Sequence, residues 1–146
     1  MSDTRDLVHI FADQAANLRY DDLSPRARDA AKQSILDTLG VILAASGMEP
    51  AVQAVIEIVR ETGGAPDCTL LAFDGKAPAL MAAFANGALA HCLDYDDQTP
   101  WGQHCASSII PACFALAERR GGVTGQELIT AVAIGQDIFA RLRCNV

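Results

Sequence analysis

Apolar side chains recur along this chain at the spacing of helices. Leu7, Phe11, Ala15 and Leu18 fall three to four residues apart and predict a first helix from about Thr4 to Arg19. The DDLSP segment breaks it. Ser24-Pro25 then has the form of an N-cap followed by a first helical residue. The second helix is expected to reach about Ala45. Its later part, SILDTLGVILAA, is apolar nearly all round, which predicts a central place in a bundle. Gly47 and Pro50 close that segment. Val52, Val55, Ile56 and Val59 mark a third helix, which Gly63-Gly64 ends.

CTLLAF followed by Asp74-Gly75 is the one strand-like stretch and predicts a short strand or hairpin over about 68–74. From Pro78 to about Cys92 the pattern is helical again and dense in alanine. Asn86-Gly87 interrupts it, and the glycine suits a close helix contact where a side chain would not fit. The stretch HCLDYDDQTPWGQHCAS follows as a loop. A fifth helix is expected to begin near Ser107 or Ser108 and run to Arg120, with Pro111 in its first turn, where a missing N–H has no intrahelical partner anyway. Gly121-Gly122 ends it. Thr124 and Glu127 have the spacing of a capping box for the last helix, whose apolar stripe is Leu128, Val132, Ile138 and Leu142. The fold class is therefore all-α, a helical bundle with at most one short strand or hairpin. The helical pattern runs to Val146 without glycine, proline or a polar tail, so 1–146 reads as one incomplete helical domain.

Composition adds a surface argument. Hydrophobic residues make up 51% of the chain and aromatics only 5%, so alanine and leucine carry the apolar character. Tightly packed helices fit that balance, with some faces covered by another protomer or by further sequence. A net charge of −7 argues against nucleic acid and against an anionic membrane surface. No apolar run approaches the ~20 residues that span a bilayer, and the acidic start lacks the plan of a signal peptide. Five cysteines without a CxxC pair point to a reduced, cytoplasmic setting. Cys105 alone has chemical company, beside His104.

Chemistry gathers in His91 to Ser107. The stretch holds two of the three histidines, three aspartates in four positions and the only tryptophan. Three readings follow. Asp94, Asp96 and Asp97 can cap helices on a solvated loop. His91 and His104 with aspartates can bind a divalent ion, although the spacing matches no zinc or EF-hand pattern. Two imidazoles near several carboxylates can also make an acid/base site, with the start of the following helix drawing in a carboxylate substrate and Ser107 and Ser108 donating hydrogen bonds.

Several ordered motifs resemble one family. They are ILDTLGVILA (Ile35 to Ala44), ANGALAHCLDYDD (Ala85 to Asp97), His104 with the following IIPACFALAE, and GVTGQELITAVAIGQDIFARL. Together they resemble the MmgE/PrpD family of 2-methylcitrate dehydratase, cis-aconitate decarboxylase and iminodisuccinate epimerase. The resemblance implies a helical domain, a second smaller α+β domain that is absent here, and a homodimer. It implies a lyase-type reaction without cofactor or metal on a small polycarboxylate: a proton is removed next to a carboxylate, and dehydration, decarboxylation or epimerisation is built on that step. On matching positions Asp94 and His104 are the catalytic residues; Gln98, Ser107 and His91 are expected on the substrate, with a structural role at a helix end as the alternative for His91. Gln98 stands where the family commonly has Thr, and Cys105 where it commonly has Pro. The resemblance also implies pocket lysines and a further histidine from later sequence. In keeping with that, Lys32 and Lys76 are the only lysines and neither lies near the loop. The competing expectation is a catalytically inactive helical oligomerisation module or truncated relic.

Overall fold

The computed structural model describes residues 6–144, the last two by their backbone alone. Among these residues the chain forms six α-helices and one two-stranded antiparallel hairpin, so the fold is all-α. The helices are α1 (Leu7–Asn17), α2 (Pro25–Met48), α3 (Val52–Thr62), α4 (Ala79–His91), α5 (Ala106–Arg119) and α6 (Gly125–Cys144). A 3-10 turn at Tyr20–Asp22 links α1 to α2. Strands β1 (Cys68–Thr69) and β2 (Lys76–Ala77) separate α3 from α4, pairing Cys68 with Ala77 and Thr69 with Lys76.

Local chemistry sets the helix ends. Ser24 caps α2 by accepting the Ala27 N–H at 3.1 Å, with Pro25 as its first residue. Gly63 ends α3 in a left-handed conformation, φ +65°. The Thr124–Glu127 box opens α6: the Glu127 N–H donates to Thr124 Oγ1 at 3.2 Å and the Thr124 N–H donates to Glu127 Oε2 at 2.8 Å. The Thr124 amide, then its hydroxyl, hold the Glu127 carboxyl below its ordinary range. Asp6 caps α1 through the Val8 N–H. The expected start at Thr4 and the run of pattern to Val146 lie outside the described residues.

Packing overrides the sequence pattern at three places. SILDTLGVILAA is not buried all round. Ser34, Thr38, Val41, Ile42 and Ala45 face the core, whereas Leu36 and Leu43 are exposed, at 74% and 65%. The helix runs on through Gly47 to Met48. Leu142 is likewise exposed, so the stripe of α6 does not hold to its end; Val132 is its fully buried member. Pro111 lies in the second turn of α5, because the helix begins at Ala106 rather than at Ser107 or Ser108. Its missing N–H leaves the Ser107 carbonyl without an intrahelical partner. That carbonyl lies against Gly87 of α4, where an added Cβ would stand 3.3 Å from the oxygen.

This contact belongs to the most extensive helix interface in the fold, α4 on α5. α4 also packs on α2 and α3, and its small residues Ala82, Ala85 and Ala90 are fully buried. A second apolar cluster, Ala31, Ala106, Ile110 and Val132, joins α2, α5 and α6. Among the described residues no single helix is long and apolar enough to cross a membrane.

The hairpin is bound to this core by polar bonds. The buried Asn86 side chain accepts the Leu71 N–H at 2.9 Å and donates to the Thr69 carbonyl at 3.0 Å. The Glu118 carboxylate accepts from the Thr69 amide and hydroxyl at 2.5 and 2.6 Å. Asn86→Ala strands a backbone donor and acceptor and should lower stability by about 1–3 kcal/mol. Urea unfolding with unchanged slope and a lower midpoint would show it; an unchanged midpoint would deny Asn86 this role.

Candidate acid/base site at the junction of two helices

The end of α4 delivers His91 and the start of α5 follows His104, so the α4–α5 packing brings the two histidines together. The loop between them is tied down from behind. The Asp97 N–H donates to Asp37 Oδ2 of α2 at 3.1 Å, and the Ser34 hydroxyl donates to the Asp97 carboxylate. Gln136 of α6 donates to the same Ser34 hydroxyl oxygen at 2.7 Å. Asp97 thus anchors the loop to α2, and Ser34 links that anchor to α6 through Gln136. Further on, the loop reverses at Thr99–Gly102, where the Thr99 N–H donates to the Gln103 carbonyl at 2.8 Å and Gly102 takes φ +78°.

Asp96 is the buried member of the site. Its side chain has no solvent exposure, and both imidazoles face it. His91 Nδ1 lies 3.1 and 3.2 Å from the two carboxylate oxygens. His104 Nδ1 lies 3.3 Å from Oδ1 and 3.1 Å from the Asp96 main-chain carbonyl. A main-chain carbonyl only accepts, so His104 carries its proton on Nδ1. The other ring nitrogen, Nε2, then has the free lone pair. It receives the Gln98 side-chain amide at 3.3 Å and faces Asp94 Oδ1 at 3.4 Å. Asp94 is mostly exposed and sits at φ +56°, a left-handed conformation that aspartate tolerates better than most residues.

The rings of His91 and His104 have centroids 5.1 Å apart. Both line an open cleft of about 450 Å³ between α4 and α5, with Phe84, Gly87, Cys92, Ser107 and Ser108 among its walls. No side chain caps α5, whose start lies beside His104. The Ser107 hydroxyl is already engaged, donating to the His104 carbonyl at 3.2 Å. Gln98 lines a separate cleft of about 280 Å³ with Trp101, Cys105 and Gln136. No lysine or arginine lines either cleft.

One nitrogen or oxygen from each of His91, Asp94, Asp96 and His104 lies within 4.8 Å of the others, and such a donor set suits a divalent ion. The contacts seen among the four groups are those of a hydrogen-bonded and ion-paired network.

The structure thus brings Asp94, His104, His91 and Gln98 together and places Ser107 at the rim. Asp96 stands at the centre, where spacing had suggested a supporting or capping role; it supports and does not cap. Burial pushes the Cys105 thiol above its ordinary pKa, followed by the negative charge of Asp97. A buried neutral thiol is a poor nucleophile. Native chain treated with iodoacetamide at neutral pH should therefore stay unmodified at Cys105; alkylation there as fast as in unfolded chain would contradict the burial.

Fold and site together define an all-helical domain with a paired imidazole–carboxylate cluster at a helix start. Residues 9–145 match the MmgE/PrpD N-terminal domain, and the chain belongs to that family. Cis-aconitate decarboxylase from Homo sapiens is 28% identical over 153 residues, which cover 94% of this chain and 29% of that protein. Cis-aconitate decarboxylase from Mus musculus is 26% identical over 142 residues, with the same coverage of each. The chain therefore spans less than a third of the length of the relatives it matches.

Proposed function

We propose that this chain supplies the acid/base part of a 2-methylcitrate dehydratase-like lyase site that removes a proton next to a carboxylate of a small polycarboxylate. The observation that carries this reading is the set of contacts at His104, with Nδ1 on the Asp96 main-chain carbonyl and Nε2 beside Asp94 and Gln98. Nε2 accepts the proton, and the new N–H faces the Asp94 carboxylate, which offsets the charge on the ring. Gln98 has to give up its bond to Nε2 for the substrate to approach. The positive end of α5 favours a substrate carboxylate, and the Ser108 hydroxyl lies in the cleft wall. The name of the relatives, cis-aconitate decarboxylase, supports a tricarboxylate-sized substrate.

The same proposal carries a division of labour. An anion entering the cleft needs cations to offset its desolvation, and none lines it. Those cations come from outside these residues, in keeping with the small share of the relatives that the chain spans. A cofactor-free reaction in the cytoplasm and a homodimer complete the reading; exposed Leu36, Leu43, Leu80 and Phe84 favour a covered surface. The lack of a cation also favours a second reading, a helical module without turnover.

Two measurements separate these. The 146-residue chain alone should turn over neither cis-aconitate nor 2-methylcitrate, and measurable product from it would overturn the division of labour. In a preparation that is active, His104→Ala should lower kcat by about 100-fold or more with the helical circular dichroism unchanged. Near-normal turnover of that variant would remove His104 from the chemistry.

A further inference from the structure

We infer that His91 is a second acid/base residue of the cleft and that Asp96 is the positioning residue that orients both imidazoles, its buried carboxylate taking the His91 Nδ1–H and its main-chain carbonyl the His104 Nδ1–H. The catalytic part rests on the proton-abstraction reading above; the orientation of the rings does not.

A carboxylate without solvent exposure needs donors, since an unpaired buried charge is costly. Those facing Asp96 are His91 Nδ1, at 3.1 and 3.2 Å, and His104 Nδ1, at 3.3 Å. The carboxylate offers only lone pairs, so His91 is held as the Nδ1–H tautomer too, and its Nε2 is the atom left for the cleft. The His91 side chain is 54% exposed and His104 18% exposed, and both line the same wall. Two Asp–His pairs thus meet at one aspartate.

Loss of water from a hydroxy acid needs two proton transfers on neighbouring atoms, and two rings 5.1 Å apart suit them. His104 Nε2 takes the proton from the carbon next to the carboxylate. The electron pair left on carbon forms the double bond as the neighbouring C–O bond breaks. The departing oxygen takes a proton from protonated His91 Nε2 and leaves as water. His104 ends as imidazolium and His91 as neutral imidazole. Asp96 faces one cation before and one after, so the buried carboxylate never loses its counter-charge.

Long-range proton–nitrogen NMR on the chain labelled with ¹⁵N-histidine reads each tautomer directly, without turnover. Both His91 and His104 should be protonated at Nδ1 when neutral. In Asp96→Ala, His91 should switch to Nε2–H, while His104 keeps Nδ1–H through the residue 96 carbonyl. Nε2–H at His91 in the unaltered chain would overturn the positioning by Asp96, and this measurement decides alone if Asp96→Ala does not fold. A folded Asp96→Ala chain with His91 unchanged would overturn it as well. In an active preparation, His91→Gln should lower kcat at least about tenfold with KM within about twofold. A raised KM at unchanged kcat would make His91 a binding group and overturn its acid/base role. Full turnover of His104→Ala would instead sink the proton-abstraction reading while leaving the NMR result standing.

Discussion

A carboxylate with no access to water must be paired, and Asp96 is such a group. Everything around the site follows from that requirement. His91 closes α4, and His104 precedes α5 by two positions. Each turns Nδ1 inward to the aspartate and leaves Nε2 outward. Removing the carboxylate from this arrangement would leave the His91 ring with no reason to hold one orientation, while the main-chain carbonyl would still hold His104. The price of burying a charge is met here by donors that the site uses for another purpose.

The helices make that meeting possible through small residues. Gly87 lets the α5 backbone come close, and the carbonyl it meets, that of Ser107, is the one freed by Pro111. A helix-breaking residue and a helix-weakening residue thus complement each other across one interface. Ala82, Ala85 and Ala90 extend the same close packing along α4. The loop between the histidines is then fixed at Asp97 by Ser34, Asp37 and Gln136, which lie on α2 and α6. The cleft between α4 and α5 is lined by two imidazoles and two serines and by no lysine or arginine.

Much of this was legible in the residues. Ser24-Pro25, Gly63 and Thr124 with Glu127 act within four residues of themselves, so their spacing suffices to mark helix ends. Asp94 and His104 could be singled out from their motif, and the structure sets them 3.4 Å apart. The rank of the acids could not be read. Asp94, Asp96 and Asp97 look alike in sequence, yet one is exposed, one fully buried and one bound to a distant helix. Ser34 and Gln136 carry no local mark of their role, because their partners lie 63 and 102 positions away. Leu36 and Leu43 misled for the same reason, since periodicity cannot say which apolar face has a neighbour.

The sequence by itself determined the helices, those of their ends that carry a cap or a glycine such as Ser24, Gly63 and Thr124, and the loop where the titratable groups collect, because propensity, capping and turn chemistry act over a few residues. It also determined, through its motifs, the family to which the chain belongs. Only the tertiary structure decided that Asp96 rather than Asp94 is the centre of the cluster, and that His91 and His104 share it. Burial and pairing of a charge depend on how helices far apart in sequence approach one another. No spacing along the chain encodes that distance.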